Sequence, residues 1–387
     1  MIGAKMMIRN WCGRLLAAHA VSIAIAVVVT PHPVSARDFR TADDLILRLM
    51  ATENVPGAAL ALIKNGEMVL EKGYGFGDIA TQAPVTTATL FNIGSISKSF
   101  TAVGIAQLVD QQQVDLDTPV IKYIPDFRLR DQQTQQTVTL RQLLSHSSGL
   151  PADEQWPPQV PATREGIVDD VAPIPITTRP GTRFQYCSRC IVLAAYILER
   201  ITGQSWEAYT RAHIFEPLGM TTASFGPQGL EAAVDRAQPY RHDPVSGDVP
   251  VPWRRLQYLE PLAPGGGIDA NVDDMAHYAL LQLGDGTISG HRLVSAEMMA
   301  ELHRPDIAVG TDWPRNASFQ NLHYALGWFT GKTNGVGLMF HNGANPGYRA
   351  SIFLAPSSRA GVVILTNGES GHFAQAAMPS LFQQLLQ

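Results

Sequence analysis

Cysteine and lysine are the scarce residues of this 387-residue chain, and each scarcity excludes something. Three cysteines, Cys12, Cys187 and Cys190, cannot make the disulfide framework of a small secreted scaffold. The Cys187-x-x-Cys190 spacing has no second cysteine pair or close histidine pair beside it, so no zinc or other metal site is expected. Nothing around it reads as a thioredoxin unit. A local bridge or two buried thiols remain as readings. Charge is also sparse, at 16% of residues, with a net charge of −5 that disfavours a nucleic acid or other polyanion as partner. Beyond the first 36 residues no apolar run is long enough to span a bilayer. With 45% hydrophobic residues, the chain can bury a large core.

The first 36 residues stand apart. Lys5, Arg9 and Arg14 form a basic leader, residues 15–30 are mostly apolar, and Val34-Ser35-Ala36 is a small-residue cleavage pattern. This is the pattern of a signal peptide cleaved after Ala36, with an uncleaved membrane anchor as the alternative. Cys12 lies ahead of the apolar run, not after it as a lipid-attachment cysteine would. The mature chain, 37–387, carries 26 basic and 34 acidic residues and is expected to be a soluble periplasmic or secreted protein. Its lysines are only Lys64, Lys72, Lys98, Lys122 and Lys332.

One of those five lies in the most informative stretch, FNIGSISKSFTAVGIAQLV at 91–109. Ser95 and Lys98 are three apart at an expected helix start, which puts hydroxyl and ammonium on one face within reach of each other. That pairs a nucleophile with a base. The Ser95 amide, at a helix N-terminus, can also help hold an oxyanion. Taken alone, the same residues also read as an ordinary buried helix whose Ser95 caps it and whose Lys98 snorkels outward.

Strand signals lie at both ends of the chain. GAALALIKNGEMVLEKGYG turns at Asn65-Gly66, and YALGWFTGKTNGVGLMFHNG turns at Asn334-Gly335, with its outgoing strand ending at His341-Asn342-Gly343. YRASIFLAP and GVVILTN supply two more strands, and residues 371–386 a closing helix. The middle is helical: Thr139 caps a short helix, IVLAAYILERITG follows the Tyr186-Cys187-Ser188 junction, and SWEAYTRAHIFEPLGM and VDDMAHYALLQLG continue the pattern. Proline-rich residues 151–179 read as a long surface loop. His146, in a turn of serines, reads as structural. The glycine run in APGGGIDANVDD marks backbone that approaches something closely. Distant strands enclosing a helical middle imply one domain of two lobes, with a cleft between sheet and helices.

SISK at 95–98, YCS at 186–188 and HNG at 341–343 form an ordered set, accompanied by LLSHSSGLP, PGTRFQY, EPLGM and YALGW. With these, the chain resembles the serine β-lactamase superfamily, near class C β-lactamases, D-alanyl-D-alanine carboxypeptidases and related esterases, over roughly residues 55–367. The resemblance implies an α+β fold: an antiparallel β-sheet flanked by helices, with an inserted all-helical lobe. It implies Ser95 as the acylated nucleophile, Lys98 and Tyr186 sharing general base and acid work, and the amides of Ser95 and Ala344 as the oxyanion hole. Ser188, His341, Asn342 and Gly343 fall at substrate-binding positions, and no cofactor is expected.

Two departures from the family pattern matter. YCS stands where class C enzymes have YxN, so Ser188 takes over an asparagine amide's hydrogen bonding. HNG stands in place of KTG, leaving His341 to receive a substrate carboxylate when protonated. Lys332-Thr333 is a decoy within the hairpin turn. The leading expectation is an exported serine hydrolase forming an acyl-enzyme at Ser95 and cleaving D-amino-acid peptides or small esters. The alternatives are a β-lactamase and a non-catalytic binder of penicillin or peptidoglycan fragments.

Overall fold

Asn65 and Gly66 both take positive φ, 56° and 79°, as a tight two-residue hairpin requires. They join β1 (Gly57–Lys64) to β2 (Glu67–Asp78). Asn334 and Gly335, at 49° and 80°, do the same between β6 (Phe329–Thr333) and β7 (Val336–Asn345). With β3 (Ala83–Pro84), β4 (Ile307–Ala308), β5 (Gln320–Tyr324), β8 (Tyr348–Ala355) and β9 (Ala360–Thr366), these form a nine-stranded sheet. Its order is β4-β5-β6-β7-β8-β9-β1-β2-β3, and every neighbouring pair is antiparallel. The computed structural model describes residues 39–387 apart from 158, 289 and 311–318, so the expected signal peptide lies outside the described residues.

Side-chain alternation along β1 shows how the sheet is covered. Ala58, Leu60 and Leu62 join a core with Ile46 of the N-terminal helix α1 (Arg40–Glu53) and with Met378 and Leu381 of the closing C-terminal helix, Phe373–Leu385. Ala59, Ala61 and Ile63 join a larger core with the helical segment. Both faces are dry, which is why β1 and β9 are apolar at nearly every position, unlike an antiparallel strand with one wet face.

The helical segment lies in the chain between β3 and β4, with only short strands among its helices. It contains α2 (Ser97–Asp110), α3 (Leu140–Leu144), α4 (Ser188–Thr202), α5 (Leu259–Gly266) and α6 (Val272–Leu283). Helix α2 is buried on all sides from Ser97 to Leu108, so its sequence shows no polar face. Its serines are satisfied locally: Ser97 Oγ donates to Gly94 O and Ser99 Oγ to Ile96 O, each at 2.7 Å. Thr139 caps α3 in a reciprocal capping box with Gln142. Among the described residues no helix is long and apolar enough to cross a membrane.

Three sequence expectations need correction. Strand β7 continues past Gly343 to Asn345, paired with β8 throughout. The stretch 151–179 contains a helix, Arg164–Asp170, whose cap Thr163 accepts the Gly166 N–H at 3.0 Å. Two turns of helix are too short to print a periodic pattern. The glycine run is also partly helical, since Gly265 and Gly266 close α5.

Candidate active site

Ser95 sits in a single 3-10 turn, Gly94–Ile96, that runs directly into α2. Gly94 is left-handed, with φ 53°, and a Cβ there would lie 2.7 Å from the Ala344 nitrogen. A Cβ on Gly343 would lie 1.9 Å from the Ile93 carbonyl oxygen. Only two glycines let the Ser95 turn and strand β7 touch backbone to backbone. This brings the Ala344 amide beside the Ser95 turn. Ala344 itself is exposed, facing the cleft between sheet and helices.

Lys98 follows one turn later and is completely buried. Its Nζ donates to Ser95 Oγ at 2.9 Å and to the Gly265 carbonyl at 2.6 Å, and stands 4.7 Å from the Tyr186 ring centroid. Burial pushes the ammonium down to about 8, opposed by the Asp153 carboxylate nearby. At mildly alkaline pH a substantial fraction is therefore neutral and able to take a proton. The glycine run flagged in the sequence meets Lys98: its close approach is a backbone carbonyl receiving the Lys98 ammonium. Thr101 Oγ1 holds the same segment through Pro264 O at 2.8 Å.

Tyr186 and Ser188 enter from the N-terminus of α4, where Cys187 and Cys190 form a disulfide. The bridge settles the open question of the cysteines. Ser188 differs from expectation. Its hydroxyl donates to Asp153 Oδ2 at 2.6 Å and its amide to Asp153 Oδ1 at 2.7 Å. The hydroxyl proton is thus committed to a carboxylate and cannot replace an asparagine amide as donor.

His341 belongs to the cleft wall but is 1% exposed. Nδ1 lies 2.8 Å from the Asn342 carbonyl oxygen, which can only accept, so Nδ1 carries the proton. Nε2 then accepts from the Tyr324 hydroxyl at 3.0 Å. Both nitrogens are engaged inside the protein, an arrangement that does not suit capture of a substrate carboxylate. Asn342 Oδ1 accepts from Ser351 Oγ at 2.7 Å across the β7–β8 pair. His146, read from the sequence as structural, is wholly buried, and its Nε2 has no hydrogen-bond partner among the described residues. Its Nδ1 accepts the Cys187 N–H at 3.2 Å, its ring packs 4.5 Å from that of Tyr186, and burial holds it neutral, well below the usual histidine range.

Several contributing residues carried no sequence signal. Asp153 lies 35 positions before Ser188 in an aperiodic, proline-bearing stretch. Asn345 bonds Asn92 and donates to Gly266 O at 3.0 Å, while Tyr258 Oη donates to Asn345 Oδ1 at 2.8 Å. Asn92 also accepts the Gly94 N–H at 3.1 Å and donates to buried Asp269 at 2.8 Å. This polar cluster ties the Ser95 turn, α5 and β7 together. The cleft between them encloses about 660 Å³. Larger surface hollows open near Arg130 and near His291; neither is lined by Ser95 or Lys98, and in the second the Ser295 hydroxyl donates to Asp110 Oδ1 at 2.5 Å.

An antiparallel sheet with an inserted helical segment, and a Ser–Lys pair where they meet, defines the serine β-lactamase and penicillin-binding-protein class. The chain belongs to the Beta-lactamase family, whose model matches residues 42–385. It is 32% identical over 355 residues to penicillin-binding protein 4 of Amycolatopsis lactamdurans, covering 87% of each chain. It is 26% identical over 350 residues to Protein flp of Staphylococcus aureus (strain COL), covering 89% of this chain and spanning 65% of that relative's length. Among solved structures, the octameric penicillin-binding protein homologue from Pyrococcus abyssi superposes with TM-score 0.77 at 29% identity, covering 90% of this chain and 77% of that one. SurE, at 22% identity and TM-score 0.74 over 90% of this chain and 76% of that one, shares the fold.

Proposed function

We propose that this protein is an exported serine hydrolase that forms an acyl-enzyme on Ser95 and cleaves amide or ester bonds of D-amino-acid peptides or small esters. The observation that carries this reading is the 2.9 Å contact between Ser95 Oγ and a fully buried Lys98 whose proton affinity is lowered to about 8. Neutral Lys98 takes the Ser95 proton as Oγ attacks the carbonyl carbon. The resulting oxyanion is held by the Ser95 and Ala344 amides. Collapse expels the amine or alcohol, which takes its proton back from the Lys98–Tyr186 pair. Water then attacks the acyl-serine by the same route in reverse, releasing the acid and restoring Ser95.

The decisive experiment combines covalent labelling with turnover. Fluorophosphonate or fluorescent penicillin should label Ser95. A panel of D-alanyl peptides, short-chain p-nitrophenyl esters and a chromogenic cephalosporin should show turnover of peptide or ester well above that of the cephalosporin. Efficient cephalosporin hydrolysis would make it a β-lactamase. Labelling without turnover of anything would favour a penicillin-binding role, the property named for the Amycolatopsis relative.

A further inference from the structure

The donor and acceptor character of the cleft wall points to a substrate class. Beside the nucleophile, the Ser188 hydroxyl and amide protons both go to Asp153, one to each carboxylate oxygen. A carboxylate offers about four acceptor positions, so two remain on Asp153 after Ser188 is served. The wall next to Lys98 therefore presents acceptors where an asparagine amide would present a donor. Gly265, whose carbonyl receives Lys98, fixes how near this wall stands: a Cβ there would be 3.5 Å from Ser188 Cβ and 3.8 Å from Lys98 Nζ.

The basic side chains around the cleft already have partners. Lys98 is held by Ser95 and Gly265. Arg189, 5% exposed, is held by Asp170 at 3.1 Å and by the Pro157 and Gln159 carbonyls, with its guanidinium 4.5 Å from the Trp156 ring centroid. His341 is engaged by Asn342 and Tyr324. Glu154, exposed on the same wall, adds a second negative charge. Among the described residues neither Asp153 nor Glu154 is hydrogen-bonded to a cationic side chain. Such a cleft repels a substrate carboxylate and attracts a donor-rich cation.

We infer that Asp153 is a specificity determinant of this site and selects substrates with an ammonium group beside the scissile carbonyl: amides, peptides or esters with a free amino-terminal residue. The inference rests on the hydrolase reading for its chemistry, though not for its binding. An ammonium donates to the open Asp153 positions and adds a direct charge-assisted hydrogen bond to a carboxylate that Lys98 approaches only through space. N-acylation removes the positive charge, leaves a single neutral N–H donor and adds bulk.

The test is a ratio. D-alanine p-nitroanilide and its N-acetyl derivative are compared by kcat/KM near neutral pH, where an α-amino group of pKa about 7.7–8.0 is mostly charged. Wild type should favour the free amine by about tenfold or more, as a charge-assisted hydrogen bond implies, and Asp153→Asn should lose most of that preference. Both substrates share Ser95 and Lys98, so the influence of Asp153 on Lys98 cancels in the ratio. Raising the salt concentration should narrow the wild-type ratio without any substitution. An unchanged ratio in Asp153→Asn, or a wild-type preference for the N-acetyl compound, overturns the inference. Calorimetric binding of D-alaninamide to Ser95→Ala, with and without Asp153→Asn, decides the matter without chemistry. Affinity should fall about tenfold when Asp153 is neutralised, and equal affinity overturns the inference. Failure of every labelling and turnover assay in wild type would defeat the acyl-enzyme reading instead, leaving the binding comparison to judge Asp153.

Discussion

Replacing Lys98 by Met should inactivate the protein and, near neutral pH, stabilise it. The Lys98 side chain is wholly enclosed, and burial lowers its proton affinity from the ordinary 10.5 to about 8. At roughly 1.4 kcal/mol per pH unit, the folded state disfavours the charged lysine by roughly 3 kcal/mol. Methionine is apolar and of similar length, so it removes that penalty with little repacking. The substitution also takes the donor from the Gly265 carbonyl, at a cost of about 1–2 kcal/mol. A net gain of about 1–2 kcal/mol near neutral pH remains.

The sign with pH is fixed by the same shift. Between pH 8 and 10.5 the unfolded chain holds the lysine proton while the folded protein releases it, so wild type gains stability as pH rises through that window. The advantage of Lys98→Met should therefore shrink through this range and vanish or reverse at its top. Urea unfolding of both proteins near neutral pH and at about pH 10 measures this. A variant less stable than wild type by the same amount at both pH values would refute the account of Lys98 as a desolvated cation.

Other substitutions test the remaining parts. Ser95→Ala and Lys98→Ala should each reduce ester turnover by about a thousandfold or more, and the double variant should lose little beyond either, as parts of one unit do; additive losses would separate their roles. Wild-type kcat/KM on a neutral ester should rise with pH through an inflection near 8, where Lys98 loses its proton; a flat profile across that range would argue against lysine as base. Gly343→Ala places a methyl 1.9 Å from the Ile93 carbonyl oxygen and should cost about 2 kcal/mol or more of stability along with most activity, read by urea unfolding and ester turnover. His341→Lys should lower turnover of neutral and carboxylate-bearing substrates alike, because it breaks the Asn342 and Tyr324 contacts; a selective gain on penicillins would restore charge steering at that position.

What the sequence carried was local. The Asn65-Gly66 and Asn334-Gly335 turns, the Thr139 cap and the Ser95–Lys98 spacing each depend on residues within a few positions, and each appears as expected. The glycine run announced a close approach without naming its partner, because a backbone carbonyl has no sequence signature. The pairing of Ser188 with Asp153 was invisible for a different reason. It joins a helix N-terminus to a proline-bearing stretch 35 residues earlier, and a lone aspartate there looks like any exposed acid. His341 is the reverse case, since an imidazole legible as a titratable ligand also has partners in Tyr324 and its own strand. The Asn92–Asn345–Tyr258 cluster joins three distant segments, and only the folded chain reveals it.

The most direct test of the Ser95–Lys98 assignment is mass spectrometry of the wild-type protein after brief reaction with a fluorophosphonate, followed by peptide mapping. A single adduct is expected on the peptide containing Ser95, formed faster at pH 8.5 than at pH 6.5 because neutral Lys98 is the base with a proton affinity of about 8, and absent from Ser95→Ala. An adduct on another residue, or undiminished labelling and turnover in Ser95→Ala, would contradict it.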